Sequence, residues 1–123
     1  MLKVYFKANC STCQTALSLI RENSKEKMEK VEYLITVPSV DELKEILRLL
    51  GIKAEQLVRK KEALYKEKYE GRKRTEKQWL TILHENPILI ERPIVVSGDK
   101  AIIGRPVERI VDFLKPSERK KKR

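Results

Sequence analysis

A chain of 123 residues, 41% hydrophobic and 37% charged, is long enough to bury one core without disulfide staples, and a single domain over residues 1–114 followed by a basic, disordered tail at 115–123 is expected. No apolar stretch approaches the roughly 20 residues needed to span a bilayer, and the opening MLKVYFKANC lacks the long apolar run of a secretory signal; membrane insertion and secretion are disfavoured and a cytoplasmic protein is expected. The net charge of +10 is local, with 8 basic and 3 acidic residues in the loop-like segment 59–74 and 6 and 1 in the tail, which suits an anion site better than sequence-specific nucleic-acid reading.

LKVYF (2–6) reads as a short buried strand, and STCQTALSLIREN (11–23) as a helix with Ala16, Leu17, Leu19 and Ile20 on one side. VEYLI (31–35) reads as the next strand, completing a β-α-β unit whose strands lie parallel. In PSVDELKEILRLLGI, Ser39 and Glu42 form a capping-box pattern, Gly51 marks the stop, and Leu43, Ile46, Leu47 and Leu50 make the buried stripe. Thr75 and Gln78 repeat the capping pattern ahead of Trp79, Leu80, Ile82 and Leu83. RPIVVSGDKAIIGRP (92–106) reads as a hairpin turning at Ser97, Gly98 and Asp99. The last helix starts near Pro106 and gathers Val107, Ile110, Val111 and Leu114 on one face. The order β-α-β, helices, β-β-α is that of an α/β thioredoxin-like fold with a mixed sheet and a helical insertion at about 36–90.

Cys10 and Cys13 are the only cysteines, spaced C-x-x-C at the turn from the first strand into the first helix. Such a pair serves as half of a zinc site, as a redox disulfide, or as one nucleophile with a bystander. Zinc in a structural site needs four ligands, and beyond this pair the chain offers His84, on another helix, and carboxylates; no metal is expected. Placement at a helix start lets free N–H groups and the helix dipole stabilise a Cys10 thiolate. His84 reads as a helix-end residue that satisfies carbonyls.

Arg59 opens the basic segment, and Arg92 and Arg105 flank the final hairpin, each before a proline. Guanidinium forks match tetrahedral oxyanions better than ammonium groups do. Together the three suggest an anion pocket.

Cys10 after a first strand, PSVDELKEILRLLGI, LVRKKEALYKE, HENPILIERPIVV and IGRP resemble the arsenate reductase family of the glutaredoxin-dependent type (ArsC), which includes the Spx-like regulators, over about residues 2–114. The resemblance implies a thioredoxin-like fold, Cys10 as nucleophile, Arg59, Arg92 and Arg105 as oxyanion-binding arginines, and Pro93 as a cis-proline beside the active site. It also implies arsenate as substrate, no bound cofactor, and glutathione with glutaredoxin as reductant; if Cys13 resolves the adduct, thioredoxin is the fitting reductant. The chain departs from the reductase pattern Cys-Gly-Thr-Ser-Arg with Cys10-Ser11-Thr12-Cys13-Gln14, and Phe6 stands where those enzymes carry histidine. Cys13 resembles the Spx-like branch, redox-sensing regulators that bind RNA polymerase, whereas Arg105 resembles the reductases and Gln14 departs from both. A general thiol-disulfide oxidoreductase would keep the cysteines without needing three arginines.

Overall fold

The computed structural model describes residues 1–115, so the expected basic tail beyond Lys115 lies outside the described residues. The elements run β1 (Leu2–Phe6), α1 (Ser11–Asn23), β2 (Met28–Glu32), α2 (Val40–Leu50), α3 (Ala63–Lys68), α4 (Glu76–Glu85), β3 (Ile94–Ser97), β4 (Lys100–Ile103) and α5 (Glu108–Leu114), with 3₁₀ turns at Ala54–Leu57 and Pro87–Leu89. The strands form one mixed sheet in the order β2-β1-β3-β4. β1 lies parallel to β2, with Leu2 opposite Met28 and Phe6 opposite Glu32. It lies antiparallel to β3, with Leu2 opposite Ser97 and Tyr5 opposite Ile94. β3 turns into β4 through Gly98 and Asp99, and Gly98 takes φ 61°, a conformation open to glycine at little steric cost. This is the thioredoxin-like arrangement, with the helical segment between β2 and β3.

Alternation along the strands feeds two cores. Leu2, Val4 and Val95 point to one face, where Ala16, Leu17 and Ile20 of α1 and Ile110 of α5 cover them. Tyr5, Val31 and Ile94 point to the other, beneath Leu43, Ile46 and Leu47 of α2 and Trp79, Leu80 and Leu83 of α4. Both faces of β1 and β3 are therefore covered over much of their length, which explains why LKVYF and IVV read as nearly continuous apolar runs. No described helix is long and apolar enough to cross a membrane.

Four sequence expectations shift. The second strand is Met28–Glu32 rather than 31–35: it is an edge strand with exposed Glu29 and Lys30, so its polar alternation hides it from a propensity reading. Past Glu32 the chain turns, Glu32 accepting from the N–H groups of Ile35 (3.0 Å) and Thr36 (2.9 Å), which leaves Ile35 exposed and Tyr33 fully buried. At α2 half of the expected capping box forms: Ser39 Oγ accepts from the Glu42 N–H at 3.0 Å, but the Glu42 carboxylate turns to the Tyr5 hydroxyl. On α5, Phe113 rather than Val111 joins the core with Val107, Ile110 and Leu114. Finally, the basic segment 59–74 contains a short helix, α3, and Arg74 packs its guanidinium over the rings of Tyr69 (5.0 Å) and Trp79 (5.2 Å). The box at Thr75 forms completely, Thr75 Oγ1 accepting from the Gln78 N–H (3.1 Å) and Gln78 Oε1 from the Thr75 N–H (2.8 Å).

Gly104 is the tightest point of the hairpin. A Cβ there would lie 2.8 Å from Ile110 Cδ1, 3.1 Å from Ile110 Cγ1 and 3.2 Å from the Pro93 ring. Gly104→Ala should therefore lower the unfolding free energy by about 1–3 kcal/mol, the usual cost of an overpacked core. Urea unfolding checks this, and an unchanged midpoint and slope would mean that α5 yields freely.

Candidate active site

The site begins where β1 ends. The turn 7–9 is pinned twice, by the Ala8 N–H donating to Glu32 Oε2 (2.6 Å) and by Gln14 Nε2 donating to the Ala8 carbonyl (3.2 Å). Gln14, which fits neither branch of the family pattern, thus holds the turn that presents Cys10. Cys10 is the N-cap of α1, extended at φ −130° and ψ 112°, and its sulfur accepts from the Cys13 N–H at 3.3 Å. Sulfur occupies the place that serine or aspartate usually takes, facing the positive end of the helix.

The two cysteines have opposite electrostatics. Burial pushes the Cys10 thiol upward, but the Cys13 thiol, the Cys13 N–H and the Arg92 guanidinium outweigh it, and the net shift is downward, toward thiolate. Cys13, one turn inside and fully buried, is pushed up to about 12, by burial first and then by the hydrogen bond and negative charge of Cys10. Cys10 is thus the more readily ionised of the two, and Cys13 keeps its proton at neutral pH. Both are free cysteines.

Arg92 and Arg105 are brought together by the hairpin, since one precedes β3 and the other follows β4. Gly104 N–H donates to the Pro93 carbonyl (2.8 Å), and Arg105 Nε donates to the Arg92 carbonyl (2.6 Å). From there Arg105 spans the mouth of the site, with Nη1 3.4 Å from Thr12 Oγ1 and Nη2 3.7 Å from Cys10 Sγ. The Arg92–Pro93 and Arg105–Pro106 peptides are both cis. Arg92 is only 6% exposed, and burial works against its charge, but Tyr33 and Cys10 outweigh burial and hold it protonated. Among the described residues its Nε and Nη1 groups have no hydrogen-bond partner. Buried donors are ordinarily satisfied, so a guanidinium with spare donors beside a downshifted thiol can receive an anion's oxygens.

Arg59 reaches this group indirectly. The segment 57–59 lies beside 89–91: the Arg59 N–H donates to the Leu89 carbonyl (2.6 Å), and the Glu91 N–H to the Leu57 carbonyl (2.9 Å). Arg59 Nε pairs with Glu62 Oε2 at 2.9 Å, the same oxygen lies 3.7 Å from Arg92 Nη1, and Arg59 Nη1 lies 3.8 Å from Glu91. The structure thus joins Cys10, Cys13, Arg92 and Arg105 directly and Arg59 through Glu62. His84 stands apart, its Nδ1 2.8 Å from the Pro38 carbonyl, and among the described residues no three His, Cys, Asp or Glu side chains gather as a metal site.

Three contributors were not read from the sequence. Thr12 has no mark beyond its place in the C-x-x-C. Tyr33, whose hydroxyl donates to the Ile90 carbonyl at 3.0 Å, is pushed up to about 12, chiefly by burial, while Arg92 pulls it down. Glu62 follows Arg59 by three residues, a spacing that could have flagged an ion pair.

Comparison with known proteins matches the chain to one family. The model of the ArsC family matches residues 5–113. The chain is 38% identical to an arsenate reductase of Neisseria meningitidis, covering 89% of this chain and 94% of that one. It is also 38% identical to the uncharacterized protein YfgD of Escherichia coli K12, covering 92% and 96%. The arsenate reductase structure from Vibrio cholerae superposes with a TM-score of 0.83 at 36% identity, covering 90% of this chain and 95% of that one. On sequence and fold alike, the chain belongs to the ArsC family.

Proposed function

We propose that this protein reduces arsenate to arsenite in the cytoplasm, with Cys10 as nucleophile and Arg59, Arg92 and Arg105 as the oxyanion clamp beside the cis-proline Pro93. The observation that carries the reading is a capping thiol, shifted toward thiolate, lying 3.7 Å from Arg105 Nη2 and beside the buried, spare donors of Arg92. Guanidinium groups offset the repulsion between a thiolate and an incoming anion and orient arsenic for attack.

The chemistry runs in two steps. The Cys10 thiolate bonds to arsenic and a protonated oxygen leaves as water, giving a sulfur–arsenic(V) ester. A second thiol then attacks the Cys10 sulfur; the sulfur–arsenic bond breaks, its electron pair passes to arsenic, and arsenite departs as arsenic(III) while the two sulfurs form a disulfide. The hydrogen bond between the Cys13 and Cys10 thiols, one turn apart on α1, supports Cys13 as that thiol. Esterification takes away the thiolate acceptor to which the Cys13 thiol is hydrogen-bonded and moves its charge onto the arsenate oxygens, which eases ionisation of Cys13 while burial continues to oppose it. Thioredoxin would then reduce the Cys10–Cys13 disulfide, and glutathione with glutaredoxin offers a parallel route in which the second thiol arrives from outside.

Cys13 also favours a second reading, an Spx-like regulator whose Cys10–Cys13 disulfide alters docking on RNA polymerase. Pull-down of RNA polymerase by the oxidised but not the reduced protein, without arsenate turnover, would favour it over the reductase.

Iodoacetamide should label Cys10 before Cys13 in the folded protein. A thiol with lowered pKa is already ionised at lower pH, so the Cys10 rate should level off at a lower pH than that of free cysteine, whereas Cys13, at about 12, should stay unmodified until the protein is denatured. Mass spectrometry of both peptides against pH decides, and faster labelling of Cys13 would reverse the assignment.

Steady-state turnover, followed as NADPH consumption with arsenate and each reductant system, tests the clamp. Cys10→Ser should abolish activity, and Arg92→Lys should lower kcat/KM by roughly 10²-fold, because the charge stays and the fork is lost. Unchanged kinetics in Arg92→Lys would remove Arg92 from the clamp.

The same assay separates the resolving routes. Cys13→Ser should lose thioredoxin-supported turnover and keep the glutathione–glutaredoxin route. Equal loss of both would assign Cys13 a structural role.

A further inference from the structure

A carboxylate among the arginines of an anion site needs a reason. The turn after Arg59 closes with the Glu62 N–H donating to the Arg59 carbonyl at 3.2 Å, and it returns the Glu62 side chain to the clamp. Oε2 lies 2.9 Å from Arg59 Nε and 3.7 Å from Arg92 Nη1, and the side chain is 23% exposed, so it is held at the edge of the site. Any anion that takes the spare donors of Arg92 meets this second negative charge at close range, where little water screens it.

That arrangement discriminates. Arsenate and phosphate keep at least one proton at neutral pH, whereas sulfate, of similar size and shape, keeps none. A proton-bearing oxyanion can donate its O–H to a carboxylate and turn the repulsion into a charge-assisted hydrogen bond. A fully ionised one leaves two acceptors facing each other, and such mismatches reject a ligand more strongly than a change of shape does. Resting on the oxyanion reading above, we propose that Glu62 is the specificity-determining residue of the site, accepting a hydrogen bond from the substrate's O–H and thereby selecting protonated tetrahedral oxyanions over sulfate.

Glu91 supplies the control. It lies 3.8 Å from Arg59 Nη1 and, unlike Glu62, makes no ion pair with Arg92 among the described residues, so it adds negative charge to the region without facing the bound anion's hydroxyl.

The experiment is protection of Cys10 from iodoacetamide in the full-length protein at neutral pH by inorganic phosphate, monofluorophosphate and sulfate. Monofluorophosphate is close to hydrogen phosphate in size and charge, with fluorine replacing the O–H, so it isolates the hydrogen bond. In the unmutated protein phosphate should protect at a concentration about tenfold or more below that of the other two, the size expected of one hydrogen bond to a charged group. Glu62→Gln should bring the three within about twofold, chiefly by strengthening sulfate and monofluorophosphate, and Glu91→Gln should shift all three in parallel. Equal protection by phosphate and monofluorophosphate in the unmutated protein overturns the proposal while leaving the oxyanion site intact, and this comparison stands even if Glu62→Gln does not fold. A parallel shift of all three anions in Glu62→Gln, or the same equalisation in Glu91→Gln, also overturns it, since either outcome reduces Glu62 to a general counter-charge. Failure of all three anions to protect overturns the oxyanion reading and this proposal with it.

Discussion

A guanidinium removed from water must be answered by negative charge, and the site is organised around the answer given to Arg92. With 6% of its surface exposed, Arg92 would pay a desolvation cost of several kcal/mol if left alone. The sulfur of Cys10, the Tyr33 hydroxyl and the Glu62 carboxylate surround it. The dependence is mutual: the charge of Arg92 helps to hold Cys10 below its ordinary range, and the hydrogen bond and charge of Cys10 help to keep Arg92 protonated. The buried cation and the downshifted thiol thus reinforce each other, with Tyr33 and Cys13 as the other main contributors.

The fold supplies the distances. β1 and β3 are adjacent in the sheet, so the end of one delivers Cys10 next to the start of the other, where Arg92 sits. The return strand β4 brings Arg105 back to the same edge, and the close approach at Gly104 lets its backbone bond to Pro93. The helical segment between β2 and β3 contributes the remaining partners. It carries Arg59 and Glu62, and it covers the sheet face on which Tyr33 is buried.

Much of this was legible in the residues because it depends on local chemistry. The boundaries of α1, the serine and threonine caps, the glycine turn of the hairpin and the C-x-x-C at a strand-to-helix junction each have a short-range cause. What stayed hidden is set by tertiary context. Glu42 fits a capping box in one dimension, but Tyr5 offers its carboxylate a better partner in three. The edge strand MEKVE looks like a loop because one side of it meets water. Within the site, Cys10 and the arginines could be picked out by type, whereas Tyr33 and Thr12 carry no such mark and gain their importance from what lies beside them. Gln14 looked like an anomaly in the motif, and its amide turns out to fasten the turn that precedes Cys10.

The sheet order also sets a schedule for assembly. β1 is an inner strand, yet one of its two neighbours is β3, which lies far along the sequence, so that Leu2 waits for Ser97. Contacts of such long sequence separation form late and slow the search for the native state. During synthesis β1 and α1 can meet β2 early, but the arginines that flank the hairpin do not yet exist. Cys10 therefore spends that interval with the Cys13 thiol and N–H that draw its pKa down, but without the further contribution of Arg92. The part of the thiol's activation that α1 supplies is local and comes first, and the part that a guanidinium supplies arrives only when the sheet closes.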